Sequence, residues 1–200
     1  VYAETCPQYL LLDDSVFKKP NGHLYATCPQ VKSKKDSERL WQAIADGDIS
    51  TIATDTCTFT TKQKAMWQGD FTKIPFGLPG VETLLPLMYT HGVGKKRITE
   101  SQLVSRLCTN PAKLMGLYPE KGTIAVGSDA DLVVFDPLKN VTLSYKNLQT
   151  NCDWSPYENF KLCGYPDTTI SRGQIVAERG KFVGTVGHGK FIKRHIGQNL

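Results

Sequence analysis

Hydrophobic and polar positions alternate along this chain with two different periodicities, one typical of helices and one typical of strands. In residues 33–47 apolar side chains recur every three or four positions, which predicts an amphipathic helix that ends at Gly47. The next run, residues 49–54, is short and rich in β-branched residues, and it predicts a buried strand with Asp55 at its carboxyl end. A helix followed by a buried strand is one repeat of an α/β unit.

The same alternation of helix-like and strand-like segments extends over residues 1–118. Short apolar runs and helical spacings alternate there with polar turns, as in α/β proteins. The further elements that it predicts are a strand that starts the chain and runs into Cys6-Pro7, a strand over 24–28, helices over 81–93 and 99–108, and a separate helix that Asn110 caps.

From residue 119 onward the rhythm changes to short strands and turns. A buried strand is predicted within residues 121–137, and the pairs Arg172-Gly173 and Arg179-Gly180 predict hairpin turns. The sequence therefore predicts an α/β fold class with an added all-β part: an α/β part over residues 1–118, an all-β part over residues 119–189 and a basic tail over residues 190–200.

Composition and charge narrow the classes of function. The net charge is +5, but no basic stripe with stacking aromatics is present, so nucleic-acid binding is not expected. The sequence has no run of about 18 apolar residues, so it predicts no membrane span. The chain starts at Val1 without a leader pattern, which suggests a fragment or a processed piece. The six cysteines are scattered, which favours reduced, mostly buried thiols in a cytoplasmic protein.

Asp55 is the strongest candidate for chemistry. It lies at the end of a predicted buried strand and before the Gly/Pro-rich loop 69–82, which is where α/β barrels place their active sites. From the residues alone two interpretations stay open. Asp55 either caps the loop, or it acts as a metal ligand or general base, because carboxylate oxygens suit divalent metals and a metal activates water for attack on an amide carbon.

The other chemical candidates are weaker. The four histidines form no H-x-H or H-x-x-x-H pair, so the chain by itself supplies no histidine metal site. Cys57 is either a nucleophile or an inert thiol, since no partner base lies near it in the sequence. Asp129 and Asp131 fit a tight turn with backbone hydrogen bonds better than a metal site.

Several segments carry recognisable motifs spread over nearly the whole chain. They are 4–10 (ETCPQYL), 69–75 (GDFTKIP), 109–113 (TNPAK), 121–124 (KGTI), 127–132 (GSDADL) and 164–166 (GYP). Together they resemble the dihydropyrimidinase/hydantoinase family, the cyclic amidases of the amidohydrolase superfamily. Segment 127–132 is shared across the superfamily, whereas segment 69–75 is specific to this branch.

The resemblance implies a TIM (β/α)8 barrel of the metal-dependent hydrolase type with a small β-sandwich. This chain resembles only the C-terminal part: the last two barrel strands, their helices and the C-terminal share of the sandwich. Family members carry two divalent metals, usually zinc, bridged by a carboxylated lysine and a hydroxide. The hydroxide opens the ring amide of a cyclic imide or ureide, such as a 5,6-dihydropyrimidine or a 5-substituted hydantoin.

The resemblance also assigns roles to residues. Asp55 matches the aspartate that binds one metal and shuttles the proton of the attacking hydroxide. Cys28 and Phe76 match positions that hold the cyclic imide through backbone groups. Thr56 replaces a common His, while Cys28 and Phe76 replace Ser and Asn, so the identity of the substrate ring stays open.

Two hypotheses follow from these matches and departures. The first is the C-terminal part of a cyclic amidase whose other metal ligands lie on earlier strands. On this hypothesis the isolated 200-residue chain is inactive and prone to associate. The second is a non-catalytic relative that acts as a scaffold, which the altered positions favour and the retained Asp55 opposes. The resemblance alone implies a homo-oligomer, often a tetramer.

Overall fold

Two short strands form the frame on which the candidate residues lie. In the computed structural model, which describes residues 1–197, β1 (Glu4–Thr5) pairs in parallel with β2 (Thr51–Ile52). Both residues of β2 are buried, as its sequence predicts. Because the strands are parallel, their carboxyl ends meet at one edge of the pair.

Most of the α-helices are short. In the described part of the chain they are α1 (Pro7–Leu11), α2 (Lys34–Asp46), α3 (Thr61–Lys64), α4 (Leu84–Met88), α5 (Glu100–Val104) and α6 (Asn110–Leu114). The longest of them, α2, confirms the predicted amphipathic helix. The Ser33 backbone N–H donates to the Asp36 carboxylate at 3.1 Å at its start, and Gly47 ends it with a φ of 95°. Trp41 is buried and donates from Nε1 to the Leu10 carbonyl at 3.1 Å, which joins α2 to α1.

One predicted strand is confirmed and another is wrong. The strand expected to run into Cys6-Pro7 is β1, and Pro7 then starts α1, because the fixed φ of proline suits the first turn of a helix. Residues 24–28 contain no strand, and residues Gly22–Tyr25 form a 3-10 turn instead. Its apolar side chains are buried without a sheet partner, which is the ambiguity of any short apolar run.

The helix predicted to begin at Asn110 is also wrong as a separate element. The chain runs from α5 through one π-helical stretch, Ser105–Thr109, directly into α6. Asn110 has helical φ and ψ of −66° and −46°, so it does not cap. Its Nδ2 atom donates to the Ser50 carbonyl at 2.8 Å, which ties this helix to the start of β2.

The second half of the chain forms a four-stranded antiparallel sheet. Its strands are β3 (Leu132–Thr142), β4 (Lys161–Ser171), β5 (Gln174–Glu178) and β6 (Lys181–Phe182), and their order in space is their order in sequence. Arg172-Gly173 and Arg179-Gly180 are the hairpin turns, as predicted, and all four residues have positive φ. The buried strand predicted within 121–137 is wrong in its burial, because Val133 and Val134 are exposed.

One hydrophobic cluster connects both halves. It extends from Ile44 and Leu87 among the helices to Tyr157 and Leu162 beside and within the sheet. All six cysteines are free thiols, but only Cys6 and Cys152 are buried, so the prediction of mostly buried thiols is wrong.

The tail and the helices complete the description. The basic tail was predicted over residues 190–200, of which residues 198–200 lie outside the described residues. Within the described part of the tail, the His195 backbone N–H donates to the Gly116 carbonyl at 3.0 Å. Within residues 1–197, every helix is too short or too polar to cross a membrane.

Candidate functional site

Asp55 lies on a kink just beyond the carboxyl end of β2. Its φ is 46°, in the left-handed region that few non-glycine residues adopt. Aspartate tolerates this region better than most residues, and such backbone outliers cluster at functional sites. The Asp55 side chain is exposed, and no hydrogen bond or ion pair within residues 1–197 engages its carboxylate.

Backbone pairing fixes the kink from both sides. Before it, the Ala53 N–H donates to the Thr5 carbonyl at 3.0 Å. After it, Thr56 forms a parallel bridge with Leu78, and the Cys57 N–H donates to the Leu78 carbonyl at 3.1 Å. The chain therefore changes its pairing partner across Asp55, which holds the carboxylate at a defined point of the strand edge.

The charge of Asp55 acts on the neighbouring end of β1. Burial, together with the negative charges of Asp55 and Glu4, raises the pKa of the Cys6 thiol to about 12. Burial also raises the pKa of Tyr9, again with a contribution from Asp55. Cys6 is therefore a neutral, inert thiol, and the Tyr9 hydroxyl is a neutral donor that bonds the Pro29 carbonyl at 3.1 Å.

The segments that carry Cys28 and Phe76 meet beside this strand end. The Gly77 N–H donates to the Ala26 carbonyl at 2.9 Å, which joins the residue after Phe76 to a residue two before Cys28. Both predicted substrate-binding side chains are exposed, and Phe76 retains 46% of its accessible surface.

Cys57 supports this junction by close packing. A Cβ atom on Gly77 would lie 2.2 Å from the Cys57 Cβ, and Gly77 has a φ of 124°, so only glycine fits there. The Cys57 side chain therefore lies against the Gly77 backbone. This contact gives Cys57 a packing role.

A second layer of contacts anchors the start of the long loop that follows Asp55. The Trp154 Nε1–H donates to the Phe59 carbonyl at 2.8 Å, and the Asp153 carboxylate accepts from the Thr61 backbone N–H at 2.9 Å. The hydrogen bonds from Thr61 lower the pKa of Asp153. The loop after the strand is thus a supported structure rather than a free connector.

The donor set at the strand edge fits one part of a metal site. Asp55 is an exposed, unengaged carboxylate, which suits a hard divalent cation. In the described part of the chain, no group of three or more His, Cys, Asp or Glu side chains gathers to hold a metal ion. Asp55 is therefore suited to contribute one ligand to a centre whose remaining ligands lie elsewhere.

Two of the histidines and the acidic pair make contacts away from Asp55. His23 stacks on Trp67, with ring centroids 5.6 Å apart, and His91 meets Phe160 edge-on at 5.9 Å. Asp129 and Asp131 both bind the Lys121 ammonium, and Asp131 also accepts from the Arg172 backbone N–H at 2.7 Å. Asp131 therefore makes the expected hydrogen bond to the backbone, whereas the Asp129 carboxylate pairs with a lysine side chain.

The comparison with known proteins identifies the family. The sequence matches the family model described as the amidohydrolase family over residues 3–176. The chain belongs to the amidohydrolase family. It is 44% identical over 197 residues to a D-hydantoinase of Geobacillus stearothermophilus, and 40% identical over 195 residues to a D-phenylhydantoinase of Escherichia coli. Each match covers 97% of this chain but only 42% of the relative.

Solved structures give the same answer. The dihydropyrimidinase from Brevibacillus agri NCHU1002 matches with a TM-score of 0.98 at 40% identity, covering 100% of this chain and 44% of that chain. An L-hydantoinase from Arthrobacter aurescens matches with a TM-score of 0.91 at 35% identity, covering 97% of this chain and 43% of that chain. The resemblance to the dihydropyrimidinase/hydantoinase branch is confirmed, and so is the class of the relatives, hydrolases of cyclic amides.

The matches also limit what this chain represents. It spans less than half the length of the relatives that it matches. Its fold is that of the corresponding part of a hydantoinase, with a parallel strand pair and an antiparallel sheet, and the described residues close no barrel.

Two residues that connect the segments beside Asp55, Lys64 and Ala26, carry no signal in the sequence. Lys64 is completely buried, although a lysine in the polar run Lys62-Gln63-Lys64 predicts a solvated face. Ala26 contributes only its backbone carbonyl, and no side-chain motif reports on such a role. Both depend on long-range contacts that neither spacing nor composition encodes.

Proposed function

We propose that the whole protein hydrolyses the ring amide of a cyclic imide or ureide, either a 5,6-dihydropyrimidine or a 5-substituted hydantoin. The observation that carries this proposal is Asp55. Its carboxylate projects, free of protein partners within residues 1–197, from a kinked strand edge in a chain whose relatives are hydantoinases. In this proposal the strand pair is the last of a (β/α)8 barrel, residues 1–118 belong to that barrel, and residues 119–189 belong to a β-sandwich.

The chemistry divides between this chain and the rest of the protein. Two divalent metals, zinc in our proposal, supply Lewis-acid activation of water and of the amide carbonyl when bound. Asp55 would provide one ligand oxygen and carry a proton at its carboxylate from the attacking water to the leaving ring nitrogen. Water thus adds across the broken C–N bond, which yields a carboxylate and an open-chain amide or urea nitrogen.

Substrate binding falls to the two joined segments. We assign the cyclic imide to backbone groups at Cys28 and Phe76, because hydrogen bonding through the backbone survives the change of side chain at both positions. The exposed Phe76 ring would then form part of the wall of the pocket. For want of the other metal ligands, the 200-residue chain alone is proposed to be inactive.

The proposal also includes a cellular location and an oligomeric state. Six free thiols fit a reducing, cytoplasmic location. Exposed apolar side chains such as Ile124, Val126 and Leu138 lie on the all-β half, which supports association into a homo-oligomer, a tetramer in our proposal. The substrate is a small molecule, and neither nucleic acid nor membrane enters the proposal.

The test is Asp55→Asn in the full-length protein. Asparagine keeps the size of the side chain but neither carries the proton nor offers a charged ligand. The ring-opening rate, kcat/KM, for 5,6-dihydrouracil and for a 5-substituted hydantoin should fall by about 10³-fold. Metal content is measured on both proteins after extensive dialysis, and Asp55→Asn should retain less.

Asp48→Asn is the matched control, because Asp48 is exposed and lies before β2 rather than after it. It should keep both activity and metal. A full-length protein that retains no metal and opens neither ring would instead be the non-catalytic scaffold, which the departures at Cys28, Thr56 and Phe76 favour. Unchanged activity of Asp55→Asn would remove Asp55 from the reaction.

A further inference from the structure

Lys64 is a buried cation at the end of α3. Its relative exposure is 0%, although lysine is among the residues least often buried. Burying an ammonium without a partner costs several kcal/mol on the order-of-magnitude scale for ions. Within residues 1–197, no ion pair joins Lys64 to a carboxylate. A buried cation without a counter-charge needs another reason to be there.

The Lys64 ammonium reaches a backbone carbonyl. Its Nζ donates to the Ala26 carbonyl oxygen at 3.2 Å and lies 6.0 Å from the centroid of the Phe59 ring. Burial lowers the pKa of Lys64 to about 8, against a smaller raising effect of Cys57, so the side chain is mostly protonated at neutral pH. A hydrogen bond from a charged donor is about twice as strong as one between neutral groups.

The same carbonyl has a second donor. The Gly77 N–H binds the Ala26 oxygen at 2.9 Å, and a carbonyl has two lone pairs, so both bonds form together. Gly77 follows Phe76, and Ala26 lies two residues before Cys28. One oxygen atom therefore connects Lys64 to both segments that carry the assigned substrate contacts. Gly77 in turn packs on Cys57, two residues beyond Asp55.

We propose that Lys64 is a positioning residue for the substrate: through the Ala26 carbonyl it fixes the backbones that lead to Cys28 and Phe76. This inference rests on the proposed function, because it names what holds the substrate-binding segments in place. Lys64 touches neither substrate nor metal in this role. Its charge is used to hold the carbonyl, since a neutral apolar side chain of the same length would fill the space and leave the Ala26 oxygen with one partner.

The test is Lys64→Met in the full-length protein. Methionine matches lysine in length but has no donor. The KM for a 5-substituted hydantoin should rise about tenfold while kcat changes less than threefold, which is the signature of lost uniform binding. Thermal stability should stay equal or rise, because a buried ion is replaced by an apolar group.

A readout without catalysis measures the bracing itself. Amide hydrogen exchange at Gly77 should become at least about tenfold faster in Lys64→Met, since the segment loses its anchor. Lys62→Met is the matched control: Lys62 lies on the same helix, is exposed, and should leave KM and Gly77 exchange unchanged. Lys64→Gln keeps an N–H donor and should recover part of the KM effect.

The outcomes separate the inference from the proposed function. If the wild-type protein opens no ring, the proposed function fails, and Gly77 exchange still decides whether Lys64 braces the segments. If the wild-type protein is active and Lys64→Met keeps both KM and Gly77 exchange within twofold, Lys64 is a packing residue and the inference is wrong. If Lys64→Met does not fold, Lys64→Leu, which also lacks a donor, decides by the same two measurements, with unchanged values again overturning the inference.

Discussion

The region around Asp55 and the antiparallel sheet use their apolar residues in opposite ways. Among the helices, Ile44, Leu87 and Met88 are all at 0% exposure. In β3, Val134 and Leu138 keep 53% and 79% of their accessible surface. The first region is a packed interior, whereas the outer strands of the second are held by backbone pairing with little burial beneath them.

This difference matches the demands of the site. A carboxylate that is to act on a substrate must be held within a fraction of an ångström, and close-packed interiors supply such rigidity. The strand pair that ends at Asp55 has a packed interior on its helical side. The sheet contributes to that interior mainly through Leu162 of β4, at 2% exposure. Apolar side chains on its outer strands therefore stay exposed.

The largest test of the comparison is a pair of leucine truncations. Leu87→Ala should lower the free energy of unfolding by about 2–5 kcal/mol, because it opens a cavity in a fully buried site. Leu138→Ala removes the same atoms from an exposed strand and should cost less than about 0.5 kcal/mol. Urea denaturation of the chain measures both, and equal effects would show that the two regions are packed alike.

The sequence anticipated elements with local signals far better than long-range packing. The helix α2 was predictable because its start, apolar face and terminal Gly47 are all local features. The continuity of α5 with α6 was not, because Asn110 and Pro111 form a helix start in any local reading. Only the contact of Asn110 with Ser50, sixty residues away, shows why the asparagine stays inside the helix.

The candidate site divides in the same way. The exposed position of Asp55 at a strand end was predictable from the β-branched run before it, and the role proposed for it comes from the resemblance of the surrounding motifs. Lys64 was not, since its burial depends on Ala26, which lies 38 positions earlier in the chain. Side chains that act through backbone atoms leave no motif, so only the folded arrangement reveals them.

A second prediction tests the contact between the regions through pH. Burial lowers the pKa of His91 to about 4, and the charges of Lys95 and Arg97 act in the same direction. In the unfolded chain the ordinary value is about 6.5, so the unfolded state takes up a proton first as the pH falls. The stability that neutral His91 permits is therefore complete above about pH 6.5 and is lost between about 6.5 and 4, by about 3 kcal/mol.

Removing the imidazole should flatten this part of the pH profile. His91→Leu keeps an apolar contact for Phe160 and has no proton to bind, so its unfolding free energy should change less between pH 7 and pH 4 than that of the wild type. His23→Gln, which alters the histidine that stacks on Trp67, should retain the wild-type loss. A wild-type loss in His91→Leu would assign the pH dependence to other groups.

The smallest expected effect concerns the polar clamp beside the sheet. Lys121 holds Asp129 at 2.6 Å and also binds Asp131, whose other oxygen accepts from the Arg172 hairpin. Burial by itself lowers the pKa of Lys121, but its two hydrogen-bonded carboxylates outweigh burial and raise it. Lys121→Met should lower the free energy of unfolding by about 1 kcal/mol, since the carboxylates remain partly solvated.

This stabilisation should depend on pH. The pKa of Asp131 is lowered in the fold, so the ion pair stabilises the protein at neutral pH, and that stabilisation is lost as the pH falls through the lowered pKa. The difference between wild type and Lys121→Met in urea should therefore shrink in acid, and a difference that persists at low pH would mean that Lys121 stabilises the turn by packing rather than by charge.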